Sequence, residues 1–308
     1  MSALPRLVVV LGPTASGKSA LGIRLAEKLG GEVLVCDSTQ VYRHFDIGTA
    51  KVPAAEQRGI AHHLVDLCEP AETFTAGDYR RRAVEVLDVL RRRKIPPILT
   101  AGTGLYLRAL LEGLADAPQR SEEIRARLRQ RAEQHGSAYL HRMLARLDPE
   151  SAARISSPDT QKIIRAIELR LLTGKPVGEI HRSGRDALQG YEIIKLGLLP
   201  PRAALYPRIH ARTDAMLAAG WLEEVRALVA SGVPADAKPF QFIGYSQLRE
   251  HLAGVITHED AVQEIQQATR RFAKRQITWF RKETGVHWLA GFGDALEIFA
   301  AALAIIES

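Results

Sequence analysis

The chain has 308 residues, with 42 Lys and Arg against 35 Asp and Glu for a net charge of +7, and 2 cysteines. That length buries one large core, or a core carrying a smaller second domain; so few cysteines exclude a disulfide framework and a Cys-rich zinc site. No apolar run approaches membrane-spanning length and no room is left for a secretory leader, so the expectation is a cytoplasmic protein, with no membrane partner and an anionic one.

In chain order, Leu7 to Leu11 is an unbroken apolar run that reads as a strand buried on both faces. It leads into Gly12-Pro13-Thr14-Ala15-Ser16-Gly17-Lys18-Ser19, the spacing of a phosphate-binding loop. Backbone N–H groups and the N-terminus of the next helix (Leu21, Leu25, Leu29) cradle an anion, Lys18 adds a cation, and Ser19 is placed to hold Mg²⁺. A di- or triphosphate ligand follows, but no particular reaction. Asparagine is absent from the chain, which excludes the guanine-reading Asn-Lys-x-Asp motif.

Glu32 to Cys36 reads as a second strand that delivers Asp37-Ser38-Thr39-Gln40 at its C-terminal end, where open α/β sheets bind ligands. Val41 to Lys51 lacks periodicity and reads as an active-site loop, and His62 to Asp66 as a short strand. The pair His62-His63 lacks further clustered ligands, so packing beside the strand is favoured over metal binding. A helix over Ala76 to Arg93, a strand at Ile98 to Thr100, and a glycine turn Ala101 to Gly104 opening a helix to Leu111 complete a pattern of alternating strands and helices. Cys36 and Cys68 read as buried thiols.

From about Asp116 to Asp186 no strand is expected. Helical patterns cover Ser121 to His135, Ala138 to Leu147, and Pro158 to Leu172 with Ser157 as N-cap and Gly174 closing it. This stretch holds 14 Lys and Arg against 10 Asp and Glu, a basic helical insertion. Tyr191 to Leu199 returns to a strand pattern. The last third reads as helical: Tyr206 to Ala219, Trp221 to Ala230, and a long helix from Thr257 to Thr284 that interleaves aromatics with cations. At that spacing the aromatics are expected in the core, with the cations facing outward.

The motifs GPTASGKS (Gly12 to Ser19), DSTQVYR (Asp37 to Arg43), DIGTAK (Asp46 to Lys51), AGTGLY (Ala101 to Tyr106), RIHAR (Arg208 to Arg212), IGY (Ile243 to Tyr245) and AKRQITWFR (Ala273 to Arg281), in this order, resemble the bacterial tRNA dimethylallyltransferase (tRNA isopentenyltransferase) family. The resemblance spans nearly the whole chain. It implies an α/β, P-loop NTPase-like parallel sheet core with helices on both faces, over 1–115 and 191–308. An all-helical insertion over 116–190 would bind the tRNA anticodon arm.

The implied reaction moves a dimethylallyl group from dimethylallyl diphosphate to N6 of the adenosine 3′ of the anticodon, in tRNAs reading codons that begin with U. Asp37 would be the general base, with a Mg²⁺-shell carboxylate as its other reading. Gly12 to Ser19 would hold the departing diphosphate, with Thr14 and Arg212 flanking its oxygens and Mg²⁺ on Ser19. The tRNA contacts implied are Asp37, Ser38, Thr39, Gln40, Thr103, Arg125, Gln161, Lys162, Ile163, Ile164, Arg165, Gln241, Phe242, Ile243, Gly244, Tyr245 and Ser246. The target base must flip out of the anticodon loop to reach a closed pocket.

Two positions depart from the family pattern: Thr39 stands where arginine is frequent, and Ala101 replaces the first glycine of GGTGLY. An enzyme acting on free adenine mononucleotides and a P-loop small-molecule kinase are the rival readings, and a monomer is expected.

Overall fold

A computed structural model of the chain describes residues 4–115, 117–118, 120–182 and 186–308, the side chains of 181 and 182 excepted. Its contacts divide the chain into two compact units, Met1–Leu110 with Gln189–Ser308, and Leu111–Leu188. The expected start of the insertion, Asp116, lies outside the described residues.

The first unit is built on a six-stranded sheet, β1 (Arg6–Leu11), β2 (Glu32–Cys36), β3 (His62–His63), β4 (Pro97–Ala101), β5 (Glu192–Leu198) and β6 (Val286–Leu289), in the order β3-β2-β4-β1-β5-β6. Every ladder is parallel. Helices α1 (Lys18–Leu29), α2 (Ala76–Arg93) and α3 (Gly104–Leu111) follow β1, β3 and β4. Successive strand residues point to opposite faces. Val8, Val10, Val33, Val35 and Ile98 pack with Leu21 and Leu25 of α1 on one face. The alternate residues Leu7, Val9 and Leu11 are equally buried, as a sheet covered on both sides requires. Tyr79 of α2 is fully buried and donates its phenol to Val35 O at 3.2 Å.

Helix α2 starts in a capping box: Thr75 Oγ1 accepts from Asp78 N, and the Asp78 carboxylate accepts from Thr75 N. The predicted strand at His62 to Asp66 shortens to two residues, because Leu64 and Asp66 turn into the left-handed region (φ 69° and 53°) and leave the ladder. His63 there meets Glu32 Oε2 at 2.6 Å. Cys36 and Cys68 are free and buried, and burial pushes both thiols up to about 12.

The Leu111–Leu188 unit is helical, with α4 (Glu122–His135), α5 (Ser137–Leu147), α6 (Pro149–Arg154), α7 (Thr160–Thr173) and α8 (Val177–Arg182). Leu128, Leu140, Leu144, Ile163, Ile164 and Ile167 form its core. Helix α7 starts two residues later than the sequence predicts, because Asp159, not Ser157, accepts from Lys162 N; Gly174 ends it in the left-handed conformation (φ 68°) as expected. Helices α6 and α8 were not anticipated, since each has only 6 residues and shows no apolar period. Both are anchored by Asp148, 2% exposed, which accepts from Ser151 N, Ser151 Oγ and Val177 N. Burial pushes the Asp148 carboxyl up, but these hydrogen bonds outweigh it and hold the group below its ordinary value.

In the remainder of the first unit, α9 (Arg202–Ala218), α10 (Trp221–Ala230), α11 (Tyr245–Leu252), α12 (His258–Phe280) and α13 (Leu296–Glu307) accompany β6. The last third is therefore not wholly helical, since it contains β6, and the short helix α11 lies outside the predicted helices. Of the α12 aromatics only Phe280 is fully buried; Trp279 is 36% exposed. No helix among the described residues is long and apolar enough to cross a membrane.

The basic helices are held by a buried acid. Glu168 of α7 is 0% exposed, accepts from Ser121 N at 2.7 Å, and pairs with Arg125 at 3.2 Å and Arg165 at 2.7 Å. Glu168→Ala strands two arginines and a backbone N–H, and is expected to cost about 3–5 kcal/mol. An unchanged urea midpoint would refute that role.

Candidate active site

The carboxyl ends of β1, β2 and β4 lie side by side, at the point where strand order reverses. After β1 the chain forms the loop Gly12 to Ser19. Gly17 adopts φ 87°, caps α1, and a side chain there would meet Gly293 N at 2.7 Å. Lys18 opens the helix with its Nζ donating to Pro13 O at 2.7 Å. Ser16 is fully buried with no partner for its hydroxyl among the described residues, and Ser19 is exposed in the first helical turn.

After β2 comes Asp37. Its Oδ1 accepts from Thr39 N at 2.9 Å and from Thr39 Oγ1 at 2.7 Å, so one oxygen is committed to orientation. The other faces the turn after β4: a side chain at Gly102 would lie 2.6 Å from Asp37 Oδ2. Thr103 Oγ1 accepts from Ser38 N at 2.9 Å and donates to Ser38 Oγ at 3.2 Å, tying the two strand ends together.

Helix α9 brings in Arg212, whose Nη1 donates to Thr14 Oγ1 at 3.0 Å. Helix α12 brings in Gln276, which accepts from Thr14 N at 2.8 Å and donates to Gly102 O at 2.8 Å. Two half-buried cations thus border the loop. Burial pushes the Lys18 ammonium down to about 8; the Asp37 charge opposes this and Arg212 adds to it. Burial also lowers Arg212, again opposed by Asp37.

Val41 to Lys51, expected as an active-site loop, is held by packing and hydrogen bonds. Glu224 of α10 accepts from Asp46 N at 3.0 Å and Ile47 N at 2.8 Å, and takes the Tyr245 hydroxyl at 2.6 Å. Gln40 donates to Thr49 O at 3.0 Å, and Phe45 packs on Phe240 and Tyr245. Phe242 lies against Tyr42 with ring centroids 5.7 Å apart. Gln241 is exposed, Phe242, Ile243 and Ser246 half-buried, and Gly244 and Tyr245 interior.

In the helical unit Gln161 and Lys162 are exposed and Arg165 half-buried, while Ile163 and Ile164 are 0% and 4% exposed. The side chains of Ile163, Ile164 and Tyr245 pack cores rather than face a ligand: a helix that puts Lys162 outward turns the next two residues inward. Asp37, Ser38, Thr39, Thr103, Thr14, Lys18 and Arg212 converge in the first unit.

The IPP transferase family model matches residues 40–283. A tRNA dimethylallyltransferase of Solibacter usitatus is 51% identical over 297 residues, covering 96% of each chain. The chain belongs to the IPP transferase family. Among solved structures, the full-length tRNA isopentenylpyrophosphate transferase of Bacillus halodurans superposes with a TM-score of 0.72 at 35% identity, over 98% of this chain and 96% of that one. A eukaryotic dimethylallyltransferase acting on tRNA gives 0.82 at 26% identity, covering 98% of this chain and 77% of its own.

Both departures from the IPP transferase pattern find a place. Ala101 is fully buried as the last residue of β4, where its methyl fits the sheet. Thr39 holds the Asp37 carboxylate. Gln276 was not anticipated as part of the site, although the sequence carried a signal. It lies on the buried stripe Ala273, Gln276, Phe280 of α12, where an amide is out of keeping with its neighbours.

With its ammonium near 8, Lys18 is charged below that pH and neutral above it. The affinity for inorganic diphosphate, expressed relative to Lys18→Arg, is expected to fall as pH rises from about 7 to 9. Calorimetry at both pH values checks this, and a constant ratio would remove Lys18 from the anion site.

Proposed function

We propose that this chain transfers a dimethylallyl group from dimethylallyl diphosphate to N6 of the adenosine 3′ of the anticodon, in tRNAs that read UNN codons. The observation that carries the reading is one carboxylate, Asp37, facing a phosphate loop bordered by two cations, Lys18 and Arg212. A phosphate loop alone serves many reactions. A base beside the cradle suits a transfer in which the phosphate leaves.

N6 of adenine is a weak nucleophile whose lone pair is delocalised into the ring. As it attacks the allylic C1, the N–C bond forms, the C1–O bond to diphosphate breaks, and the oxygen takes that electron pair. Asp37 takes the N6 proton, through the oxygen not committed to Thr39. Charge on the departing diphosphate is met by Lys18, Arg212 and the N–H groups at the start of α1. Thr14 accepts from Arg212 through Oγ1, which leaves its own O–H to donate to a leaving-group oxygen.

The donor set also suits Mg²⁺, which keeps most of its waters and takes one or two protein oxygens besides substrate phosphates. Ser19, exposed at the mouth of the loop, is the protein oxygen offered; no cluster of three or more acidic, His or Cys side chains stands among the described residues to form a cage. The ion would neutralise charge on the diphosphate. The basic helical unit supports the RNA part of the reading, with Gln161, Lys162, Arg165 and Arg125 as its contacts, and Gln241 to Ser246 contributing through the exposed Gln241.

Incubation with Mg²⁺, dimethylallyl diphosphate and an anticodon stem-loop carrying adenosine 3′ of the anticodon is expected to yield N6-isopentenyladenosine. Product from AMP and none from RNA would move the chain to the mononucleotide enzymes. Asp37→Asn is expected to cut turnover by about 10²–10⁴-fold while RNA affinity holds; parallel loss of both would defeat the base assignment.

Lys162 is exposed, and among the described residues it pairs with Asp159, three positions before it. Lys162→Ala should lower the slope of log Kd for RNA against log salt by about one. An unchanged slope would put the RNA phosphates elsewhere.

A further inference from the structure

Gln276 is 6% exposed, yet both ends of its amide are used on backbone groups far away in the chain: Thr14 N at 2.8 Å and Gly102 O at 2.8 Å. One group belongs to the phosphate loop after β1, the other to the turn after β4 that faces Asp37. A buried polar side chain is retained where its hydrogen bonds are complete, and this one is complete only when both strand ends are in place.

The consequence for the loop is specific. Pro13 has no N–H, Thr14 N–H points to Gln276, and Ser16 N–H points to Pro13 O at 3.3 Å. The Thr14 and Ser16 amides are therefore both engaged within the protein, and Thr14 is left to act through its hydroxyl. That hydroxyl is the one fixed by Arg212 at 3.0 Å. One turn further along α12, Trp279 lies against Gly104, with the Arg108 guanidinium 4.8 Å above its ring. Helix α12 thus grips the Gly102 to Gly104 turn at two points on one face.

We propose that Gln276 is a positioning residue of this site: it holds the Thr14 amide and the Gly102 carbonyl so that the Thr14 hydroxyl and the Asp37 carboxylate stand in fixed relation across the bound diphosphate. It touches no reacting atom. Its effect runs through Thr14 on the leaving-group side and through the Gly102 turn on the base side. The inference rests on the transfer reading proposed above.

The test is a double-mutant cycle between Gln276→Met, which keeps the length of the side chain but neither polar end, and Thr14→Ala. It is read on turnover and, separately, on affinity for inorganic diphosphate. Gln276→Met alone is expected to lower turnover by about 10–100-fold, with RNA affinity and the urea midpoint close to wild type. In the Thr14→Ala background the same change should add less than about threefold, because the group it positions is gone.

Additive losses, or wild-type turnover in Gln276→Met, would overturn the proposal. Should that variant not fold, Gln276→Glu, which keeps an acceptor for Thr14 N–H, carries the same cycle. Wild-type protein that binds diphosphate but prenylates no RNA would defeat the transfer reading, while the diphosphate cycle would still decide the role of Gln276.

Discussion

The parallel pairing of β1 with β4 on one side and β5 on the other is the constraint on which the rest of the first unit depends. Its register sets Leu11 opposite Ala101, and Ala101 opposite Cys36. The residues that follow, Gly12, Gly102 and Asp37, therefore emerge in one row at the carboxyl edge of the sheet. Cys36 O accepts from both Gly102 N and Thr103 N, at 3.0 and 3.1 Å, which locks that row. A loop made of backbone amides, a carboxylate and a turn without a side chain meet there because the strands that carry them are in register, although they are far apart in sequence.

Around this row the electrostatics are arranged for a ligand. Lys18 and Arg212 are lowered by their protein surroundings, and Asp37 offsets only part of that. A bound diphosphate would favour the charged form of both, so part of the unfavourable burial in the free protein is relieved on binding. Asp37, the proposed base, is treated differently. Thr39 fixes one oxygen of Asp37, and Gly102 keeps the space before the other clear. A side chain at 102 would close that space, and an arginine at 39 would present a guanidinium in place of the short hydroxyl that now donates to Asp37.

The helical unit solves another problem, how to keep many arginines close together in a folded state. Glu168 gathers Arg125 and Arg165 from two helices, and the nearby Arg120 is lowered by burial first and then by these same arginines. Asp148 performs a similar service for two helix starts by accepting backbone amides. Both acids are interior, so the surface keeps its positive excess while the interior is neutralised. A basic surface of this kind suits a polyanion.

Much of this was legible in the sequence. The strands β1, β2 and β4, the helices α2 and α10, the phosphate loop and the position of Asp37 at a strand end all follow from apolar runs, capping residues and glycine spacing, which act over a few residues. Whatever joins distant segments is settled by the packing of the folded chain. Arg212 reads on its own as a surface cation, and its place against Thr14 depends on where α9 packs. Glu224 meets the 46–51 loop across the fold, and Tyr245 and Ile163 turn inward because their helices bury that face. Gln276 stands among the cations and aromatics of α12, and its two partners lie at the ends of two different strands. Local sequence sets local conformation because its forces are local; the partners of a side chain across the fold are set by strand order and register, which no single segment contains.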